Sequence, residues 1–139
     1  MKRSILHFVC LVFLLSTALH APAFTSDSIF TSDRIVYHIL SEDAATVEVA
    51  SHKGYEGDLS IPEQVVHDGK TYSVTAFGDY AFAEWWGLTS VTIPASVTTI
   101  GDYAFGNCSS LTGIEVVPEN PDYCSIDGVL YDKAVSRLM

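Results

Sequence analysis

The sequence predicts a mostly β protein built as a short solenoid, in which successive coils of chain stack on one another. The main observation is a repeat. Residues 74–82 read VTAFGDYAF and residues 97–105 read VTTIGDYAF, 23 positions apart, with seven of the nine residues identical. The offset continues without a gap, since Leu88 is matched by Leu111. Self-similarity at a period of about 20 to 30 residues is typical of solenoids, whose units bury their apolar faces only by stacking. Short runs rich in Val, Ile, Thr and Tyr, broken by Gly, Pro and Asp, favour strands over helices.

Residues 1–23 predict a secretory signal peptide. Lys2 and Arg3 form a positive start, residues 5–19 are almost entirely apolar, and residues 21–23, Ala-Pro-Ala, fit a small-x-small cleavage site. The apolar run is shorter than the roughly 20 residues that cross a bilayer, so we expect cleavage and not an integral membrane protein. The prediction is a secreted protein, extracellular or on the outer cell surface.

The exported chain is strongly acidic. Cleavage removes Lys2 and Arg3 but none of the 17 Asp and Glu residues, which takes the formal net charge from −10 to −12. A chain of this charge is repelled by phosphate backbones and by anionic membrane surfaces. Charge therefore argues against nucleic acid as a partner.

Three segments follow the signal peptide. Residues 24–34 are polar and rich in Ser and Thr, and they predict a mobile leader. Residues 35–73 hold alternating apolar runs and predict a small antiparallel β unit that would cover the open end of the stack. Within it, Asp68-Gly69 between β-prone runs predicts a two-residue hairpin. Residues 74–139 hold two full repeats and a partial third, which we interpret as a truncated array.

Each repeat carries apolar residues at matching positions, and we expect these to face the core. The spacing of Leu88, Val91 and Ile93 is typical of a short strand. Residues 103–105, Tyr-Ala-Phe, predict a helical or 3₁₀ turn packed on the strands. The predicted core consists of Phe82, Leu88, Val91, Ile93, Val97, Ile100, Ala104, Phe105, Cys108, Leu111 and Ile114.

The exported chain carries no pattern typical of catalysis or of a metal site. None of His38, His52 and His67 stands in a nucleophile context such as G-x-S-x-G. Asp79 and Asp102 occupy equivalent repeat positions, and each follows Gly in a turn where it can bond to local backbone. We therefore expect no enzyme activity, no cofactor and no metal.

Two cysteines remain after cleavage, Cys108 and Cys124, and an exported protein permits a disulfide between them. Cys108 stands where the first repeat has Trp85, which favours a buried, space-filling side chain. Spacing alone leaves the pairing open.

Residues 88–112 read LTSVTIPASVTTIGDYAFGNCSSLT and resemble a BspA-type leucine-rich repeat, a class found in surface proteins of anaerobic and host-associated bacteria. The family pattern is roughly L-x-x-V-x-I-P-x-x-V-x-x-I-G-x-x-A-F-x-x-C-x-x-L. Residues 88–111 match it at every named position. Residues 120–138 are similar to the family's N-P-x-Y-x-S-x-D-G-V-L-Y-x-K insert. The departures are Phe77, where Ile is expected, and Trp85 at the corner. The resemblance implies a non-enzymatic surface protein that mediates adhesion by binding proteins of a host matrix or of other bacteria.

The pair Trp85-Trp86 is an addition to the repeat, because the second unit has Cys108-Ser109 at these positions. Both tryptophans are candidate ligand contacts. We expect Trp85 to be packed and Trp86 to be partly exposed, where it could anchor a protein interface or stack on a sugar. The competing interpretation is that Trp86 covers a neighbouring loop, since Trp is highly buried on average.

Two alternatives to protein binding stay open. One is a carbohydrate-binding accessory module with Trp86 as its stacking platform, which makes a glycan a possible partner. The other is a truncated array without independent activity. The repeated tyrosines are interpreted as packing and not as a binding stripe: Tyr55, Tyr72, Tyr80 and Tyr103.

Overall fold

The computed structural model describes residues 28–50, 54–134 and 137–138, and these residues form strands and turns without an α-helix. The predicted signal peptide and the leader up to residue 27 lie outside them. The strands are β1 (Ile29–Ser32), β2 (Ile35–Ser41), β3 (Thr46–Val49), β4 (Glu56–Ser60), β5 (Gln64–His67), β6 (Lys70–Phe77), β7 (Gly87–Ile93), β8 (Thr99–Ile100), β9 (Gly113–Val116), β10 (Tyr123–Ile126), β11 (Val129–Asp132) and β12 (Arg137–Leu138).

Two parallel ladders build the solenoid. β6 pairs with β3 and with β8, and β7 lies between β4 and β9. All four of these pairings are parallel. The registers Phe77↔Ile100 and Val91↔Ile114 reproduce the 23-residue repeat, so equivalent residues of successive coils lie side by side. The predicted mostly β, repeat-stacked fold is confirmed. We call β3 and β4 coil 1, β6 and β7 coil 2, and β8 and β9 coil 3.

Coil 1 comes from residues 35–73, the segment predicted to be an antiparallel unit. Antiparallel pairing holds for β1–β2–β3 and for the β5–β6 hairpin. In contrast, Val47 pairs with Val74 and Leu59 with Val91 in parallel, so β3 and β4 belong to the solenoid. The 23-residue repeat in the sequence does not reveal coil 1, because the paired residues Leu59 and Val91 are 32 positions apart. The inserted β5–β6 hairpin lengthens the repeat beyond 23.

The second half of the predicted mobile leader is a strand. β1 pairs antiparallel with β2, and the ring of Phe30 is buried against the imidazole of His67, with centroids 4.1 Å apart and planes nearly parallel. Burial of this aromatic ring offsets the entropy cost of ordering the segment. His67 lies on the hairpin that reverses at Asp68 and Gly69, whose φ angles of 49° and 76° confirm the predicted two-residue turn.

Aromatic rings join coil 2 to coil 3 at the centre of the core. The rings of Phe82 and Phe105 stack with centroids 5.1 Å apart, and Phe77 and Trp85 meet Phe82 edge-on at 5.0 and 5.2 Å. Each such pair contributes about 0.5–1.5 kcal/mol beyond the burial of its area. Of the predicted core residues, Phe82, Leu88, Val91, Ile93, Val97, Ala104 and Ile114 are buried, and Ile100, Phe105, Cys108 and Leu111 are partly buried against them.

The last three strands cover the outer edge of coil 3. β10, β11 and β12 form an antiparallel sheet. Unprotected edges of β-sheets pair readily with other chains, so covering them matters for solubility. Three N–H groups of coil 3 donate to this unit: Ile100 N to Tyr123 Oη (3.1 Å), Val116 N to Ser125 Oγ (3.0 Å) and Ile114 N to Gly128 O (2.8 Å).

Asn120 connects the covering unit, the sheet of β10, β11 and β12, to the solenoid through hydrogen bonds. Its buried side chain donates from Nδ2 to the carbonyls of Pro94 and Val97, both at 2.8 Å. Its Oδ1 accepts from the N–H groups of Asp122 at 2.9 Å and Tyr123 at 2.8 Å. The full hydrogen-bonding capacity of the amide is thereby used, which is the condition for burying it at low cost.

Coils 2 and 3 approach so closely that Gly101 has no room for a side chain. A Cβ atom at this position would lie 2.6 Å from the backbone N of Asp79 and 2.7 Å from the carbonyl carbon of Gly78. These are backbone atoms of the neighbouring coil, so relief would require the coils to separate.

We expect Gly101→Ala to lower the free energy of unfolding by about 1–3 kcal/mol, because the added methyl group overpacks the contact between coils. Gly113→Ala is the matched control, since a Cβ there meets only Gly128 Cα at 3.8 Å. Urea unfolding of both variants measures the difference. Equal stability of the two would contradict the close approach of the coils.

Asn120→Ala should lower the free energy of unfolding by about 2–4 kcal/mol, because it leaves two carbonyls and two N–H groups without their buried partner. Gln64→Ala removes an exposed amide and should change stability by less than about 0.5 kcal/mol. Thermal or urea unfolding compares the two. A loss no greater than that of the control would show that Asn120 does not hold the covering unit.

Candidate functional site

The turns that join the two ladders lie directly on one another and form one continuous surface. Residues 78–86 connect β6 to β7, and residues 101–109 occupy the equivalent stretch of coil 3. We call these two stretches the turn face. Backbone N–H groups of the first turn donate to carbonyls of the second: Tyr80 N to Asp102 O (3.0 Å), Phe82 N to Ala104 O (2.8 Å) and Glu84 N to Gly106 O (2.9 Å).

Two positions of the turn face have left-handed backbone in both coils. Tyr80 and Tyr103 have φ angles of 57° and 53°, and Glu84 and Asn107 have φ angles of 63° and 57°. The segment predicted as a helical or 3₁₀ turn at residues 103–105 is therefore an irregular turn. A bulky residue at positive φ is unusual and costs free energy. The left-handed residue turns its own side chain outward, while the Ala and Phe that follow remain in the core.

The rings of Tyr80 and Tyr103 stack on each other at the surface. Their centroids are 5.5 Å apart, their planes differ by 8°, and the residues are 53% and 72% exposed. These two tyrosines pack on each other in the turns, as predicted, but they stay exposed, unlike the buried Tyr72 and unlike Tyr55, which stacks on Trp85. The signal that could have found them is the repeat, which places an aromatic residue next to inward Ala-Phe in both coils.

The two candidate tryptophans have different environments. Trp85 is buried between Phe82 and Tyr55, and its Nε1 has no hydrogen-bond partner among the described residues. The side chain of Trp85 is therefore not accessible from the surface, and Trp86 is the candidate ligand contact that is exposed. Trp86 is 67% exposed and lies at the end of the same turn as Tyr80. The exposed aromatic residues of the turn face are thus Tyr80, Tyr103 and Trp86.

Three carboxylates lie in the same turns as the exposed rings. Asp79, Glu84 and Asp102 are all exposed. Oδ1 of Asp79 accepts a hydrogen bond from the backbone N of Asp102 at 2.8 Å. Asp79 therefore links the two coils, where the sequence predicted only a bond within its own turn. In residues 28–50, 54–134 and 137–138, no group of three or more His, Cys, Asp or Glu residues is placed to hold a metal ion.

The histidines and cysteines have structural contacts. His38 Nδ1 lies 3.0 Å from a carboxylate oxygen of Glu48, and His52 lies outside the described residues. Cys108 and Cys124 are both free thiols. The Cys108 thiol donates to the carbonyl of Phe82 across the coils at 3.0 Å, and burial raises its pKa, which disfavours the reactive thiolate.

The residues that build this geometry match a known repeat family. The model for the BspA-type leucine-rich repeat region matches residues 70–126, which include β6 to β10 and the whole turn face. The chain carries a BspA-type leucine-rich repeat region. Proteins of this class typically occur at the cell surface or are secreted, and they typically bind proteins.

Solved structures of bacterial proteins share this fold. A leucine-rich cell surface protein from Faecalibacterium prausnitzii is 36% identical with a TM-score of 0.59, over 71% of this chain and 26% of its own. A leucine-rich repeat protein from Bacteroides capillosus is 29% identical with a TM-score of 0.57, over 64% and 65%. Another from Bacteroides ovatus is 32% identical with a TM-score of 0.56, over 66% and 24%.

The chain spans about a quarter of the Faecalibacterium and B. ovatus structures and about two thirds of the B. capillosus structure. No curated protein gives a significant match. In the described part of the chain, no helix combines the length and the apolar character that crossing a bilayer requires.

The opposite environments of the two tryptophans predict a fluorescence difference. In Trp86→Phe only Trp85 remains, and we expect blue-shifted emission with quenching by acrylamide several-fold weaker than in the unmodified protein. Trp85→Phe leaves the exposed Trp86 and should give red-shifted, readily quenched emission, provided that circular dichroism shows the variant to be folded. Equal quenching of the two variants would contradict the placement of these side chains.

Proposed function

We propose that this chain is a non-enzymatic, secreted or cell-surface protein that binds other proteins through its turn face. The observation that carries the proposal is the exposed, cofacial Tyr80–Tyr103 pair, with the exposed Trp86 at the end of the turn that contains Tyr80. Tyr and Trp are enriched among the few residues that dominate binding energy at protein interfaces, because they remove a large area from water with few rotatable bonds.

The Tyr80–Tyr103 stack adds a contact between coils 2 and 3, yet it leaves both residues more than half exposed. The phenylalanines of coil 2, Phe77 at the end of β6 and Phe82 in the turn, are buried and already fill the core. Clustered exposed aromatic residues on a soluble protein mark interaction sites more often than they mark incidental exposure. The turn face is therefore the part of the described surface best suited to a protein partner.

The backbone supports the same conclusion. Left-handed conformations at Tyr80 and Tyr103 cost about 1–3 kcal/mol each, and both coils retain them at the same position. Stacking of the rings fixes their orientation before a partner arrives, so little side-chain entropy is lost on binding. A strained, preorganised pair of rings is consistent with selection for recognition.

The predicted signal peptide and the cell-surface relatives support a partner outside the cell. We propose a protein of a host matrix or of another bacterium, bound in an adhesion role. Since the chain covers only about a quarter of two of its relatives, the turn face would be one portion of the binding surface in a protein of their length.

A carbohydrate-binding module is the second candidate, favoured by the exposure of Trp86. A flat indole stacks on sugar rings without needing the tyrosines. If Trp86→Ala abolished retention on immobilised glycans while Tyr80→Ala/Tyr103→Ala left it unchanged, the carbohydrate reading would replace protein binding.

We expect the purified chain, immobilised, to retain proteins from matrix or bacterial-surface extracts, and Tyr80→Ala/Tyr103→Ala/Trp86→Ala to weaken retention at least about 30-fold. This factor corresponds to the loss of one interface anchor worth about 2 kcal/mol. Quantitative pull-down at several protein concentrations measures it.

The matched control is Leu40→Ala/Val66→Ala, which removes exposed apolar side chains outside the turn face and should preserve retention. Both variants are first checked for cooperative unfolding. The proposal fails if retention is the same for the two variants. It also fails if a folded, monomeric chain retains nothing, the result expected of a truncated array without independent activity.

A further inference from the structure

Charge is distributed very unevenly along the chain. Residues 71–132, which contain the turn face and nearly all of coils 2 and 3, include no Lys, Arg or His. The three ion pairs among the described residues all lie within residues 38–70. Residues 71–132 contain eight carboxylates, and the nearest basic residue that follows them, Lys133, donates to the carbonyl of Asn120. The carboxylates are Asp79, Glu84, Asp102, Glu115, Glu119, Asp122, Asp127 and Asp132.

The turn face combines this negative charge with aromatic rings. Asp79 directly precedes Tyr80, Asp102 directly precedes Tyr103, and both carboxylates are exposed, as is Glu84. The backbone N of Asp102 fixes one oxygen of Asp79 at 2.8 Å. The face of an aromatic ring carries a negative electrostatic potential that attracts cations, and a neighbouring carboxylate adds to it.

We propose that the turn face binds an arginine- or lysine-bearing segment of the partner protein. The inference rests on the proposed function and specifies the partner's chemistry. A guanidinium group stacks on a tyrosine ring and pairs with carboxylates through its planar donors, so one arginine side chain can use both features of this surface. The aromatic pair supplies the contact area, and the absence of any cation in residues 71–132 selects a cationic occupant.

The carboxylates of the turn face disfavour the other classes of ligand that could bind there. An acidic peptide or an anionic lipid surface would be repelled by the turn face. A neutral sugar would stack on Trp86 but would gain no charge interaction. A basic protein segment is therefore the occupant that uses the whole surface.

The first test uses three synthetic peptides in which glycine alternates with four copies of one other residue. That residue is arginine in the first peptide, citrulline in the second and glutamate in the third. Citrulline keeps the shape and planarity of arginine without its charge. We expect the arginine peptide to bind the purified chain at least tenfold more tightly than the citrulline peptide, with no binding of the glutamate peptide. Affinity should fall as salt rises from 50 to 200 mM, because exposed charges are screened. Fluorescence anisotropy measures all three.

The second test separates the turn face from overall charge. Asp79→Asn/Glu84→Gln/Asp102→Asn removes three charges from the turn face and keeps an acceptor oxygen for the Asp102 N–H, and we expect it to weaken the arginine peptide at least tenfold. Glu63→Gln/Glu115→Gln/Glu119→Gln removes three exposed charges elsewhere and should change affinity less than threefold. Tyr80→Leu/Tyr103→Leu should weaken binding while leaving net charge unchanged.

Equal affinity for the arginine and citrulline peptides would overturn the inference. Equal losses in the two charge variants would overturn it as well, since binding would then follow bulk charge. If the immobilised chain retains extract proteins in a turn-face-dependent way but ignores the arginine peptide, the partner chemistry is wrong and the proposed function stands. If it retains neither, both fail.

Discussion

The stacking of one coil on the next at a 23-residue spacing is the constraint on which the rest of this structure depends. Backbone N–H groups of one turn donate to carbonyls of the next, and the rings of Phe82 and Phe105 stack in the core beneath them. The same translation places Tyr80 beside Tyr103 on the outside. A buried and an exposed aromatic stack are therefore two consequences of a single repeat. Gly101 marks how close the coils must come, because backbone atoms of the neighbouring coil fill the space of its missing side chain.

Antiparallel strands cover part of each side of the three-coil stack, while β4 pairs with β7 alone among the described residues. At the coil 1 end, β1 and β2 extend the sheet from coil 1, with Phe30 buried against the β5–β6 hairpin. At the coil 3 end, the side-chain oxygens of Tyr123 and Ser125 accept hydrogen bonds from backbone N–H groups that would otherwise lack partners. Asn120 fastens this second cover with four hydrogen bonds.

The repeat made the fold of coils 2 and 3 predictable from the sequence, because identical residues at constant spacing must occupy equivalent positions. Coil 1 escaped prediction because an inserted hairpin stretches its offset to 32 residues. The different environments of Trp85 and Trp86 followed from alignment to Cys108 and Ser109. The exposure of the repeated tyrosines did not follow, since it depends on left-handed backbone at Tyr80 and Tyr103, a conformation that residue type argues against. The excess of acidic residues was visible in composition, and the fold adds that Asp79, Glu84 and Asp102 lie in the turns that carry the exposed rings.

The proposed recognition surface depends on coil stacking, because single turns would not hold the tyrosines side by side. Native-state amide hydrogen exchange of the Tyr80, Phe82 and Glu84 N–H groups, which donate to the next coil, tests this dependence most directly. The account predicts that these amides exchange as slowly as those of the buried strand β7, with the free energy of global unfolding. Exchange orders of magnitude faster than in β7 would show that the turns open on their own, and would contradict a binding face preorganised by coil stacking.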